Sequence, residues 1–330
     1  MAGSMRRTGT NGPSNRVIPA FRALHLQAIF LRGCRVHALQ TREHDAGDGA
    51  GIRGEVIAMW TAVVGIDAST GADRALRWAV DLARHRGGGV TAVHAYVTPE
   101  GLGSATAEQV STESQQRAEK IADQALADLG DVDVPVKREV RPVREGNVAK
   151  ALLDAGEGAD LLVSASRGVG GFFGLVIGSV SMQLLSNASG AVAIVPGPER
   201  GAEPLGEGGH VLVGFDGSDH AAPALDWAVQ EVQVSGGTVV VLYADPDPKP
   251  HGRDRVMEQA RQRIPDGVAV EEQPLTGTPA EVLINRSSEA RTVVLGSRGR
   301  GGFAGMLLGS VGMQVAQYAQ CPTVVVHDRK

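Results

Sequence analysis

The chain has 330 residues, 42% of them hydrophobic but only 4% aromatic, with 44 glycines and a formal net charge of −5 at pH 7. That length and apolar content fit one large or two ordinary domains with proper cores, and the acidic balance leaves no basic stripe to displace counterions, so nucleic acid is excluded as a partner. No stretch approaches the roughly eighteen continuous apolar residues of a membrane span, and the two cysteines, Cys34 and Cys321, match no metal or redox spacing, so a reducing cytoplasm is the expected location.

Residues 1–58 differ from everything after them. They carry Arg6, Arg7, Arg16, Arg22, Arg32 and Arg35, and their one apolar patch, AFRALHLQAIFL, is interrupted by charge. A secretory leader needs a longer clean apolar core and a small-residue cleavage site. We read this segment as a disordered or mis-annotated extension, with Met59 as the natural start.

From Thr61 the pattern becomes regular. TAVVGID reads as a buried strand ending at Asp67, and Ser69 as the N-cap of a helix with Leu76, Ala79, Val80 and Ala83 on one face. Gly87, Gly88 and Gly89 stop that helix, and VTAVHAYV makes the second strand. His94, near the end of that strand, reads as a packed or edge histidine. The polar stretch TPEGLGSATAEQ predicts a loop, followed by a helix near residues 111–129 and, after Pro135, a third strand, VKREV. A helix over 147–157, a fourth strand DLLVSAS, a glycine-rich loop, a helix from Ser179 and a last strand AVAIVPG complete the first unit.

PGPERGAEPLGEGG reads as a connector by composition, with residues 198–209 as the linker between domains at 59–197 and 210–328. The pattern then restarts. VLVGFDGS repeats VVGIDAS, with Asp216 on Asp67 and Trp227 on Trp78 at an offset of 149; both tryptophans read as core. Further on, Gly299 falls on Gly168 and Gly309 on Gly178 at an offset of 131. The difference, 18 residues, is a deletion between the second and third strands of the second unit, expected in a surface connection. Cys321, before Pro322, reads as a small buried hydrophobe.

The loops after the fourth strands carry the chemistry. GSRGRGGFAGMLLGS runs from Gly296 to Ser310, and ASRGVGGFFGLVIGS from Ala165 to Ser179 with the same spacing. A strand, a glycine-rich loop and a helix N-terminus form a phosphate cradle, because glycines admit close backbone approach and unpaired N–H groups face the anion. Alternating strands and helices form a parallel sheet whose ligands bind beyond the carboxyl ends of strands at a switch point. With the first and fourth strands as neighbours there, Asp67 or Asp216 faces the cradle across a gap that suits a nucleoside. The competing role for each aspartate is a turn former or cap, which Ser69 and Ser218 are read as already filling. Arg167, Arg298 and Arg300 are either phosphate contacts or solvated. No Gly-Lys-Ser/Thr sequence ends either loop, which argues against a P-loop hydrolase, and a dinucleotide fingerprint belongs after the first strand, not the fourth.

Both units resemble universal stress protein domains, and the pair resembles the tandem form of that family. The family's ATP-binding signature is Gly, two residues, Gly, nine residues, Gly, then Ser or Thr. Gly296, Gly299, Gly309 and Ser310 match every position, and Gly168, Gly178 and Ser179 match in the first unit. The resemblance implies an α/β fold of two homologous doubly wound domains, each a five-stranded parallel sheet of order 3-2-1-4-5 flanked by about four helices. It implies ATP, with Mg2+ as an optional companion, at the carboxyl ends. Asp67 and Asp216 would contact adenosine, Ala95 and Ala244 would lie beside adenine, and Ser179–Val180 and Ser310–Val311 would follow the glycines at the phosphates. It also implies pairing of the two domains through their last strands, leaves a homodimer open, and points to stress survival or growth control.

Repeat one departs at Ala165, whose methyl either crowds ribose or phosphate or is harmless if φ there is negative, and at Val169, which stands where Arg300 stands in repeat two; the first site is expected to bind more weakly. Three readings compete: an ATP-binding regulator without strong catalysis, a weak ATP hydrolase or nucleotidyl-transferring enzyme using the same pocket, and an interaction module that has lost its ligand, which the intact second signature argues against. Phosphoryl transfer needs positioned charge and usually a metal held by carboxylates, and neither loop contains Asp or Glu, which favours binding over turnover.

Overall fold

The computed structural model describes residues 59–98, 104–144, 147–168, 177–200, 209–247, 250–300 and 307–328. The expected extension at 1–58, most of the linker, Val169 and the centres of both glycine loops lie outside these.

The first half contains β1 (Thr61–Gly65), α1 (Thr70–Arg86), β2 (Gly89–Val97), α2 (Ser104–Leu129), β3 (Val136–Val143), α3 (Val148–Ala155), β4 (Leu161–Ala165), α4 (Ser179–Asn187) and β5 (Ala191–Val195). The second repeats it with β6 (His210–Gly214), α5 (Ala222–Ser235), β7 (Thr238–Asp245), α6 (Pro250–Arg261), β8 (Val270–Thr276), α7 (Pro279–Arg286), β9 (Ala290–Gly296), α8 (Ser310–Tyr318) and β10 (Thr323–Val326). Sheet order is β3-β2-β1-β4-β5-β10-β9-β6-β7-β8, so each half has the expected order 3-2-1-4-5. The inner strands are Val- and Leu-rich and buried on both faces, as a parallel sheet covered by helices requires.

The two halves meet where β5 runs antiparallel to β10, pairing Ile194 with Thr323 and Val192 with Val325. Those two pairs exchange under the offset of 131, so the seam carries a local twofold symmetry. On one face α1 and α5 pack together, and Arg86 at the end of α1 lies over the ring of Trp227, 4.8 Å from its centroid, and 5.6 Å from that of Trp60. Trp78 and Trp227 are both buried. On the other face Leu308, Ala316 and Val325 of the second half join the core of α3 and α4.

Two expectations are corrected. The polar stretch before residue 111 is not all loop: α2 starts at Ser104 and has 26 residues against 12 in α6, so the second unit's deletion falls mainly within a helix. Among the described side chains of α2 only Ala118, Ala122 and Ala125 are fully buried, and residues 108–117 are largely exposed. Bonds from Gln109 to Glu113 at 3.2 Å and from Gln115 to Glu119 at 3.0 Å brace that outer part, which leaves no apolar period to read and no core to lose. The second correction concerns caps. Ser69 caps α1, its Oγ accepting from Ala72 N–H at 3.1 Å. Ser218 does not cap α5, which begins only at Ala222 with Pro223 in its first turn; an extra turn closed by Ala221 N–H to Ser218 O at 3.1 Å intervenes.

Candidate functional site

At the exit of β1, Asp67 divides its two oxygens. Oδ1 accepts from Ser69 N–H at 3.1 Å and from Ser69 Oγ at 2.6 Å, an Asx-type turn. Oδ2 faces the loop after β4, where a β-carbon added to Gly168 would lie 2.0 Å from it. Asp216 repeats this: Oδ1 accepts from Ser218 N–H at 3.0 Å and Oγ at 2.6 Å, and Oδ2 accepts from Arg300 N–H at 2.8 Å. Each aspartate is thus a turn former and a partner of the glycine loop at once. The turn puts Ala68 at φ 63° and Gly217 at φ 74°, the left-handed region.

Each glycine loop returns to its own strand. Gly178 N–H donates to Ser166 O and Gly309 N–H to Ser297 O, both at 2.7 Å. Gly178 and Gly309 are the N-caps of α4 and α8, and neither helix start receives a side-chain cap. Their first N–H groups therefore carry the partial positive charge of a helix N-terminus toward the same end of the sheet.

In the first domain these parts surround a cavity of about 430 Å3, within the range of small-molecule sites, roughly 300–1,000 Å3. Asp67, Ala95, Ala165, Gly168, Gly178, Ser179 and Val180 all line it. Sequence reasoning did not assign Val148, Leu152, Ile177, Ser164, Ser181 and His94, which line it too. Leu152 and Val148 come from α3, which the sequence marked only as a helix. His94 is half-buried, and its Nδ1 lies 2.7 Å from Ile66 O; Nδ1–H donates there, which fixes the tautomer and leaves Nε2 as the acceptor. Ser181 Oγ donates to Ala165 O at 2.7 Å, so α4 is tied to the end of β4.

In the second domain Gly299 and Arg300 meet Asp216, while Ala244 and Val311 pack against the core of α7 and α8. Gly296, Gly309 and Ser310 occupy the places of Ala165, Gly178 and Ser179. Both arginines have protein neighbours. Arg298 Nη2 is 3.5 Å from Asp328 Oδ2, which is itself 2.6 Å from His220 Nδ1. The Arg300 guanidinium turns toward Gly217, where Nη2 would be 2.9 Å from an added β-carbon, and toward Tyr243, whose hydroxyl donates to Asp245 at 2.9 Å. Burial, with the Asp245 carboxylate, pushes the Tyr243 phenol up from its usual value.

Ala165 does not have a left-handed φ. Its methyl faces α1, where a β-carbon on Gly71 would be 3.2 Å away. Ala165 thus packs against the start of α1 while also lining the cavity.

A family model described as the universal stress protein family matches residues 59–196 and again 209–327. A universal stress protein of Mycolicibacterium smegmatis is 34% identical over 290 residues, covering 81% of this chain and 97% of the relative. One of Mycobacterium tuberculosis is also 34% identical over 290 residues, covering 81% and 96%. Among solved structures, a universal stress protein from Archaeoglobus fulgidus shares the fold with a TM-score of 0.62 at 22% identity, covering 82% of this chain and 98% of its own. With two matched segments spanning most of its length, the chain belongs to the universal stress protein family.

Proposed function

We propose that this protein is an ATP-binding regulator of stress response or growth, acting in the cytoplasm without strong catalysis. The observation that carries the reading is the cavity of the first domain: seven residues chosen from the sequence for nucleotide contact line one space of about 430 Å3. An adenine ring fits against Ala95, Val148 and Leu152, the ribose hydroxyls can donate to Asp67, and the phosphates reach Gly168, Gly178 and the start of α4. The helix N-terminus supplies only about 0.3–2 kcal/mol, so apolar burial of the base and the loop N–H groups supply most of the affinity. Asp216, Ala244, Gly296, Gly299, Gly309, Ser310 and Val311 are assigned the same roles in the second domain, with Arg298 and Arg300 beside them. Among the described residues no cluster of three His, Cys, Asp or Glu side chains could hold a metal, so any Mg2+ would ride on the phosphates and water.

Denaturing the purified protein and chromatographing the supernatant tests this. ATP released in stoichiometric amount supports the reading; ADP accompanied by turnover of added ATP replaces it with a hydrolase; no nucleotide released or bound on titration rejects it.

A further inference from the structure

Two arginines follow neighbouring strands of the first domain. Arg167 follows β4 and Arg200 follows β5, strands whose register pairs Ala165 with Val195. A turn closed by Arg200 N–H to Gly197 O at 3.1 Å bends the second chain end back. Arg200 Nη1 then donates across the seam to Gln317 O, in the last turn of α8. Its Nε and Nη2, and the Nε of Arg167, are buried and have no hydrogen-bond acceptor among the described residues. Glu199 comes no nearer than 3.8 Å to Arg200 Nε and is half exposed.

Such an arrangement is unfavourable by itself. Burial pushes the Arg200 pKa down; the Glu199 carboxylate opposes this and the charge of Arg167 adds to it, yet guanidinium does not give up its proton in proteins. The donors must be met by an acceptor instead. The second domain shows what is missing: Arg298, the mate of Arg167 at the offset of 131, has Asp328 3.5 Å away, and the mate of Asp328 is Gly197, which has no side chain. Among the described residues, the carboxylate that Asp328 sets beside Arg298 has no counterpart at the matching position of the first domain.

We propose that Arg167 and Arg200 form a phosphate-binding subsite between the first domain's cavity and the C-terminal end of α8. Arg167 lines that cavity, so the subsite takes the distal phosphate of a nucleotide held there; in this form the inference rests on the nucleotide reading above. Planar guanidinium forks suit phosphate oxygens. The consequence is that the first site is not the weaker one for a polyphosphate ligand, and that its occupant touches a side chain anchored on the second domain.

The test is calorimetric titration of the full chain with ATP, adenosine and inorganic tripolyphosphate, for the natural protein, Arg200→Gln and Arg200→Lys. Removing a charge-assisted pair of donors is expected to weaken ATP at one site by about tenfold or more. Adenosine affinity should not change, and Arg200→Lys should fall between. Unchanged ATP affinity at both sites in Arg200→Gln overturns the subsite and leaves the nucleotide reading intact. Should the natural chain bind neither ATP nor adenosine, the nucleotide reading fails, and tripolyphosphate decides the subsite alone. Binding abolished by Arg200→Gln would then keep it as a site for free phosphate compounds, and no binding would overturn it. If Arg200→Gln does not fold, Arg167→Gln takes its place with the same outcomes.

Discussion

The methyl group of Ala165 and the bare α-carbon of Gly71 fill one contact between the end of β4 and the start of α1; a β-carbon on Gly71 would lie 3.2 Å from that methyl and 3.1 Å from Arg167 O. In the second domain the mates are Gly296 and His220, and the small partner changes sides: a β-carbon on Gly296 would lie 2.1 Å from His220 O. Main chain cannot yield as a side-chain tip can. Gly296→Ala should therefore destabilise the protein by about 1–3 kcal/mol through overpacking, whereas Ala165→Gly should cost only about 0.5–1 kcal/mol. Urea unfolding midpoints of the two variants check the order, and equal effects would refute the reciprocal packing.

Gly309→Asp separates binding from folding. A β-carbon at Gly309 has room, 3.4 Å from Ser297 O and 3.5 Å from the Arg298 α-carbon, and Asp is a good N-cap. The fold should survive with α8 intact. The added carboxylate nevertheless stands where a phosphate is proposed, so the calorimetric stoichiometry for ATP should fall from two sites to one. Retention of both sites at unchanged affinity would remove the second domain from the nucleotide reading.

Ala68 is the single non-glycine with positive φ among the described residues, at φ 63°, immediately after Asp67. A left-handed alanine is strained by about 1–2 kcal/mol, and the second domain avoids the strain with Gly217. Ala68→Gly should relieve it, partly offset by the greater freedom of glycine in the unfolded chain. A net gain of about 0.5–1 kcal/mol is expected, read as a raised thermal midpoint; a lowered one would mean the methyl makes contacts worth more than the strain.

The parts legible in the sequence are those written twice. Strands such as TVVLG could be read as elements, and the aspartates ending the first strands do meet the glycine loops, because period, turn chemistry and duplication agreed. What escaped is what the repeats do not share. The sequence of the outer half of α2 is mostly Ser, Thr, Glu and Gln, with no apolar period to mark it as a helix. Ser218 has the sequence of a cap, but Asp219 and His220 form a turn where their mates Thr70 and Gly71 already begin α1. His94 and Leu152 line the cavity on elements whose sequence signalled only burial.

His327 predicts a pH dependence. It is buried at the seam, its main-chain N–H bonded to Gly190 O at 3.0 Å, and its ring Nε2 has no partner among the described residues. Burial pushes its pKa below the ordinary 6.5; Arg298 adds to this, while Asp328 and a hydrogen bond to the Leu185 main chain oppose it. As pH falls through about 6.5, the unfolded chain takes up a proton that the folded chain refuses. Stability present above that pH is then lost progressively until the depressed folded pKa is reached. Unfolding free energies measured from pH 7.5 to 5, a range of about two and a half units around the ordinary histidine value, should slope less in His327→Gln than in the natural chain. A parallel slope would place the proton uptake elsewhere.

Glu231 of α5 joins two arginines that come from different halves of the chain. Its Oε2 is 2.9 Å from Arg86 Nη2, its Oε1 is 3.4 Å from Arg291 Nη2, and the three side chains are 4%, 9% and 7% exposed respectively. Arg291 also donates to Ser235 Oγ at 2.7 Å. Under the offset of 149 the mates of Glu231 and Arg86 are Leu82 and Ser235, so the cluster exists on one side of the seam only, which is why comparing repeats could not reveal it. Removing the shared carboxylate leaves two buried cations facing each other, a change worth about 3–5 kcal/mol. Removing Arg86 leaves Glu231 still paired with Arg291, and forfeits the stacking on Trp227, worth about 0.5–2 kcal/mol. Glu231→Ala should therefore destabilise the chain clearly more than Arg86→Met in chemical denaturation. The reverse order would show that the seam is held by the stacked guanidinium and not by the ion pairs beneath it.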